Sequence, residues 1–274
     1  MRAHLLLLAA LVGVAAPAGA ACLDCHAQAK GFAPFAHRAT KGEAGCVSCH
    51  GDGKAHEESG GDKTLIKAPR GRLGAETCLT CHDKGATSHR TSTHAASDTV
   101  SCTTCHSIHA SDPKAAPLLV KPQLALCGTC HAGPVASHQG KPFAHKLGRG
   151  GMECASCHDP HGSPGRRVLK ETRAGEQICL SCHTDKKGPY VYEHVRGITG
   201  DCLTCHEAHG SSNPKKLTRA RVAQVCQECH SALGTGTIGS QPPAIHDMLS
   251  PRYQNCVNCH TAIHGSNRSP RLLK

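Results

Sequence analysis

The chain has 274 residues with no Trp, three Tyr and three Phe, against 20 Cys and 23 His. Large aromatics dominate ordinary core burial, and 29 Gly with 16 Pro break long helices, so an ordinary side-chain core and a long-helix bundle are both excluded. Lys plus Arg exceed Asp plus Glu by 11; such a basic balance would suit nucleic acid or an acidic membrane, but the aromatic platforms of a single-strand binder are missing.

Residues 1–20 (MRAHLLLLAALVGVAAPAGA) read as a signal peptide. Arg2 is the only charge, the apolar run Leu5 to Ala16 follows, and Ala18-Gly19-Ala20 fits a small-residue cleavage site. That run is too short for a bilayer, which takes about 20 apolar residues, and no later stretch is apolar enough for a transmembrane helix. The mature part, 21–274, is expected to be exported to the periplasm.

All 20 cysteines of the mature part fall into ten C-x-x-C-H motifs. The pairs are Cys22 and Cys25, Cys46 and Cys49, Cys78 and Cys81, Cys102 and Cys105, Cys127 and Cys130, Cys154 and Cys157, Cys179 and Cys182, Cys202 and Cys205, Cys226 and Cys229, and Cys256 and Cys259. Residues i and i+3 share one face of a helical turn, so both thiols of a pair can bond one porphyrin. The histidine after the second cysteine then stands under the iron. Disulfide staples or zinc ribbons also use paired cysteines, but neither requires that histidine, and it recurs in all ten motifs. The cofactors implied are ten c-type haems. Their propionates would offset the basic excess, leaving the oxidised protein near neutral.

The proximal iron ligands are His26, His50, His82, His106, His131, His158, His183, His206, His230 and His260. First cysteines recur every 23 to 32 residues, and a finer pattern has period two. Each even-numbered motif is followed closely by a further histidine: His56, His109, His161, His209 and His264. Each odd-numbered motif is followed by a histidine eight to ten residues before the next first cysteine: His37, His94, His145, His194 and His246. These ten match the proximal set one for one and are read as distal ligands. His209 lies on the same side of its turn as His206, so it cannot reach the free face of its own iron and must bind a neighbouring one. Only His89 and His138 of the mature part fall out of register, as surface residues or as residues that support a ligand. Met152 and Met248 are the only methionines of the mature part, so bis-histidine ligation and low potentials are expected. Gly162, Gly210 and Gly265, each after a distal histidine, are either left-handed helix exits or ordinary loop glycines.

The fold expected is mainly irregular with short α-helices, an extended haem-stacked multihaem cytochrome c with almost no β-sheet. Loops such as Lys67 to Gly74 and Pro160 to Pro164 separate the motifs. The longest connections, Gly51 to Thr77 and Ser231 to Asn255, are the expected sites of mobility or of partner contact.

The unit CxxCHxxHGS…CxxCH at Cys154 to His183 and Cys202 to His230, with ten motifs on one exported chain ending NCVNCHTAIHGSN, resembles the periplasmic decahaem cytochromes of the MtrA/DmsE type. The resemblance implies a staggered row of bis-histidine haems, with pentahaem halves at 21–140 and 141–274. It also implies partners: an outer-membrane β-barrel porin into which the chain inserts, and other redox proteins. The function expected is electron transfer along ten haems between periplasm and cell exterior, with no catalytic residues. The alternative, a multihaem reductase of a small nitrogen or sulfur oxyanion, needs an open iron position that a matched ligand set does not leave. A haem-storage array leaves the paired histidines unexplained.

Overall fold

The computed structural model describes residues 22–26, 43–82, 86–109, 118–148, 151–163, 168–170, 177–194, 201–230 and 251–273. The signal peptide, His37 and His246 lie outside the described residues. Among those described, the helices are α1 (Cys22–Cys25), α2 (Glu43–His50), α3 (Lys54–Glu58), α4 (Gly71–Leu79), α5 (Ala86–Arg90), α6 (Cys102–Cys105), α7 (Gln123–Gly128), α8 (Ala132–Gly140), α9 (Cys154–Cys157) and α10 (Val222–Gln227). The longest, α4 and α8, have nine residues. Pairing of extended backbone is confined, among the described residues, to isolated bridges. The fold is irregular and short-helical with essentially no sheet, as the sequence implies.

Each motif is a single turn because its own backbone closes it. The N–H of the motif histidine donates to the carbonyl of the first cysteine, at 2.8 Å in the Cys102 and Cys127 motifs and 3.0 Å in the Cys154 and Cys202 motifs. Residues just before the even motifs start the turn by capping free backbone N–H groups. Ser101 and Thr104 form a reciprocal capping box, as do Glu153 and Ser156, and Asp201 accepts from Leu203 N at 2.9 Å. After an even motif the chain doubles back: Ser107, Asp159 and Glu207 donate to Leu118, Val168 and Lys216 at 2.7, 2.8 and 2.7 Å. Those three acceptors all sit at positive φ, 61°, 50° and 58°, without being glycine. One strained backbone position is thus repeated at the same register.

The chain divides into two units, one of residues 1–86 and 97–120, the other of 87–96 and 121–274. The first carries motifs one to four, with α1 packed on α2 and α4 on α6; the second carries motifs five to ten, with α7 packed on both α8 and α9. Of the buried hydrophobic residues described there are three, Ala75, Leu180 and Ala223. Among the described residues the polypeptide supplies almost no side-chain core of its own.

Two expectations about connections change. The loop over Lys67 to Gly74 ends at Arg70, because α4 begins at Gly71. Gly74 lets this helix lie against the backbone of Pro69, where a Cβ would collide. The stretch after Gly51 is folded on its motif: Lys67 N donates to His50 O at 3.2 Å, and Asp62 caps the turn Lys63–Leu65. Residues 231–250 of the other long connection lie outside the described residues.

Candidate functional site

None of the twenty cysteines is in a disulfide. Among the described residues no group of three or more His, Cys, Asp or Glu gathers around one point that could hold a bare metal ion. The candidate ligands come in twos. That suits a metal whose four remaining ligands belong to a macrocycle, and it does not suit tetrahedral zinc.

Among the described residues seven histidine pairs stand face to face, and each joins one proximal to one distal candidate. In the first unit the ring centres of His26 and His56 are 6.2 Å apart and those of His50 and His109 are 6.0 Å apart. In the second unit the pairs are His94 with His131 (6.1 Å), His145 with His183 (6.3 Å), His158 with His209 (6.0 Å), His194 with His230 (6.0 Å) and His206 with His264 (6.3 Å). Two imidazoles on opposite sides of one metal, each bonded at about 2 Å, hold their ring centres about 6 Å apart. The pairs therefore fit a bis-histidine haem iron.

Six of the seven pairs follow one rule; the seventh, His56 with His26 of the motif just before it, does not. His109, His209 and His264, each beyond an even motif, meet the proximal histidine of the even motif two places earlier. His94, His145 and His194 meet the proximal histidine of the odd motif that follows the next one. In sequence alone His209 was bound only to some neighbouring iron; here it stands opposite His158, across 51 residues.

The rings are aimed by their second nitrogen, an arrangement that motif reading did not reveal. Nδ1 of His50 bonds Lys67 O at 2.8 Å, His56 bonds Asp62 O at 2.9 Å, His206 bonds Lys215 O at 2.9 Å and His260 bonds Arg271 O at 2.7 Å. Nδ1 of His94, His145 and His194 bonds the carbonyls of Pro160, Ala208 and Ile263 at 2.9, 3.3 and 3.0 Å. A carbonyl can only accept, so the proton is on Nδ1 and Nε2 is the free ligating atom. Burial holds His145 and His264 below the ordinary imidazole value, which favours the neutral, ligating form. Lys216 Nζ lies 3.1 Å from His145 Nε2; ligation requires this flexible side chain to swing aside, which puts an ammonium beside the site.

Glycines following the distal histidines have φ of 112°, 128° and 137° at Gly162, Gly210 and Gly265. These exceed the left-handed helical value of about 57°, so neither a helix exit nor a free loop describes them. They are close-approach positions: a Cβ on Gly162 would run into Ser88 O, one on Gly265 into the Tyr190 ring, and one on Gly210 would stand 3.0 Å from Ser137 O. The following serines, Ser211 and Ser266, pair by two backbone hydrogen bonds with Phe143 and Tyr192. Each His-Gly-Ser thus docks a distal histidine onto the segment carrying another.

Consecutive motifs also meet through sulfur. As thiols, Cys78 and Cys102 are in hydrogen-bonding contact, as are Cys179 and Cys202. Sharing the proton pulls Cys102 and Cys179 down to about 6 and pushes Cys78 and Cys202 up. Burial, with Cys256 close by, pushes Cys226 up to about 12. Beside these motifs Thr218 Oγ1 is buried without a hydrogen-bond partner and lines a polar cavity of about 300 Å³ with Lys141, Glu207, Ser211 and Asn213.

His89 lies in α5 and His138 in α8, and neither belongs to the seven pairs. Replacing both with Ala is expected to leave the low-spin haem spectrum unchanged. A new high-spin signal would move the ligand role away from His94 or His145.

Residues 145–188 and 194–235 match the family described as a doubled CXXCH motif, and residues 46–130 match the family described as cytochrome c-type protein NrfB-like. The chain is also 32% identical over 282 residues to the multihaem cytochrome MtrA of Shewanella baltica (strain OS185), an alignment covering 94% of this chain and 82% of that relative. This chain belongs to the multihaem c-type cytochromes related to MtrA, built from paired CxxCH units.

Proposed function

We propose that this protein is a periplasmic electron carrier with ten c-type haems, each held by two thioether bonds and two histidines. The observation that carries this reading is the separation of 6.0–6.3 Å in seven proximal–distal histidine pairs. His37, His82, His106, His161, His246 and His260 complete the set by their place in the repeat. When bound, the haems supply one-electron iron couples, set to low potential by histidine on both faces.

The chain's own residues do the rest. Backbone carbonyls fix the rings, and the nearness of Cys78 to Cys102 and of Cys179 to Cys202 sets consecutive attachment points side by side. Basic side chains such as Lys141 and Lys216 stand where propionate charge needs balancing. With both axial positions of every iron filled, no substrate position is left, and the role is electron transfer without catalysis. The kinship with MtrA supports a conduit, and we assign this chain an outer-membrane β-barrel porin as partner, through which electrons pass between the periplasm and the exterior.

Mass spectrometry of the exported protein is expected to show the mass of residues 21–274 plus ten haems. A count below ten would break the one-to-one matching of ligands.

A further inference from the structure

We infer that in the second unit the irons are linked in pairs by a ligand-to-ligand hydrogen bond. The distal histidine of each odd-numbered haem donates from Nδ1 to the peptide that carries the distal histidine of the preceding even-numbered haem. This rests on the axial pairs proposed above. His145, opposite His183 of motif seven, bonds the carbonyl of Ala208, and the same peptide continues into His209, opposite His158 of motif six. His194, opposite His230 of motif nine, bonds the carbonyl of Ile263, which continues into His264, opposite His206 of motif eight. His94 repeats the bond to Pro160, the residue before His161.

A bare histidine–carbonyl bond is common at metal sites. The register is what points to a linking device here. In all three cases the acceptor is the residue immediately before a distal histidine, and the glycine immediately after it has a φ that side-chain-bearing residues rarely adopt. In all three a Cβ on that glycine would press on the segment leading to the donor: Ser88 before His94, Ser137 and Ala144 before His145, Tyr190 before His194. The glycines are positioning residues that let the two segments close to hydrogen-bonding distance.

The planar peptide between acceptor carbonyl and distal histidine is rigid, so a change at one iron's ligand reaches the carbonyl that the other iron's ligand uses. The carbonyl also draws on the Nδ1 proton and makes Nε2 more basic, which favours ferric iron in the odd-numbered haem. The histidine bridges thus join six to seven and eight to nine.

The test uses holoprotein carrying Gly210→Ala or Gly265→Ala. Gly148→Ala is the control, since Gly148 also has positive φ (79°) but open space around it. Redox titration followed by haem-resolved NMR is the readout. The irons are expected to remain low-spin. The ferric-to-ferrous ratio at fixed potential should fall about tenfold at the haem on Cys179 and Cys182 in Gly210→Ala. The same fall is expected at the haem on Cys226 and Cys229 in Gly265→Ala. Tenfold is the lower end of what losing an outer-sphere partner does to a metal site, and it equals about 59 mV for one electron. The control should show no shift. Unchanged potentials in both variants would overturn the bridge. An independent check needs no variant: in the unmodified holoprotein the Nδ1 protons of His145 and His194 should exchange slowly with deuterium, and rapid exchange of both also overturns it. Failure of the ligation itself has a separate signature, namely that His145→Ala leaves every iron low-spin.

Discussion

Replacing His209 with Ala is expected to leave the haem on Cys202 and Cys205 six-coordinate and to turn the iron on Cys154 and Cys157 five-coordinate and high-spin. The reason is geometric. His209 is three residues from His206, yet its ring stands 6.0 Å from that of His158, while His206 faces His264 at 6.3 Å. The substitution therefore strips the motif-six haem and spares the motif whose turn carries it. Loss of an imidazole should raise the potential of the motif-six haem and open a position to small ligands. Electron passage along the chain should slow at that point, because one haem no longer matches its neighbours. Electron paramagnetic resonance with redox titration reads both effects, and the altered haem is assigned by its own NMR signals. A high-spin iron on Cys202 and Cys205 instead would refute the two-motif step. No high-spin iron at all would remove His209 from the ligand set.

The short motif turns and the near absence of sheet were legible in the sequence because each is local. A CxxCH turn closes with one hydrogen bond between residues four apart, and its spacing carries the chemistry. The distal candidates were legible as a register, since period two along ten motifs singles out the same positions in every repeat. Which iron each serves was not, because that depends on contacts such as His50 with His109 or His206 with His264, nearly sixty residues apart. The outer sphere was equally hidden. Backbone carbonyls leave no mark on composition, so the acceptors at Lys67, Pro160, Ala208 and Ile263 are visible only in three dimensions. The His-Gly-Ser repeats could have been a clue: glycine at one register in three repeats signals close backbone approach as readily as a helix exit. The caps at Ser101 and Asp201 follow ordinary start-signal rules, whereas Glu153 is not a usual cap residue and shows its role only in three dimensions.

The same chain made without haem attachment is expected to show no cooperative unfolding transition and no protected amides. Ala75, Leu180 and Ala223 are its buried hydrophobic residues among those described. One Leu and two Ala cannot offset a conformational entropy cost of about 1–2 kcal/mol per ordered residue. Backbone structure is equally local, in single turns that isolated peptides do not hold, since helices shorter than about 12 residues are marginal in water. Haem changes both sides of this balance. On the reading proposed above, each macrocycle would supply the apolar mass that the composition lacks, and each bis-histidine iron would join segments far apart in sequence. By analogy with a disulfide, a link closing about 50 residues, as between His158 and His209, removes about 4 kcal/mol of unfolded-state entropy. Several such links in each unit would let a chain with so little described core hold a stable fold. Circular dichroism during thermal unfolding and amide hydrogen exchange, compared between holoprotein and a chain with serine at all twenty motif cysteines, provide the measurement. A sharp transition and slow exchange in the serine chain would mean that the polypeptide holds its own fold and that haem only decorates it.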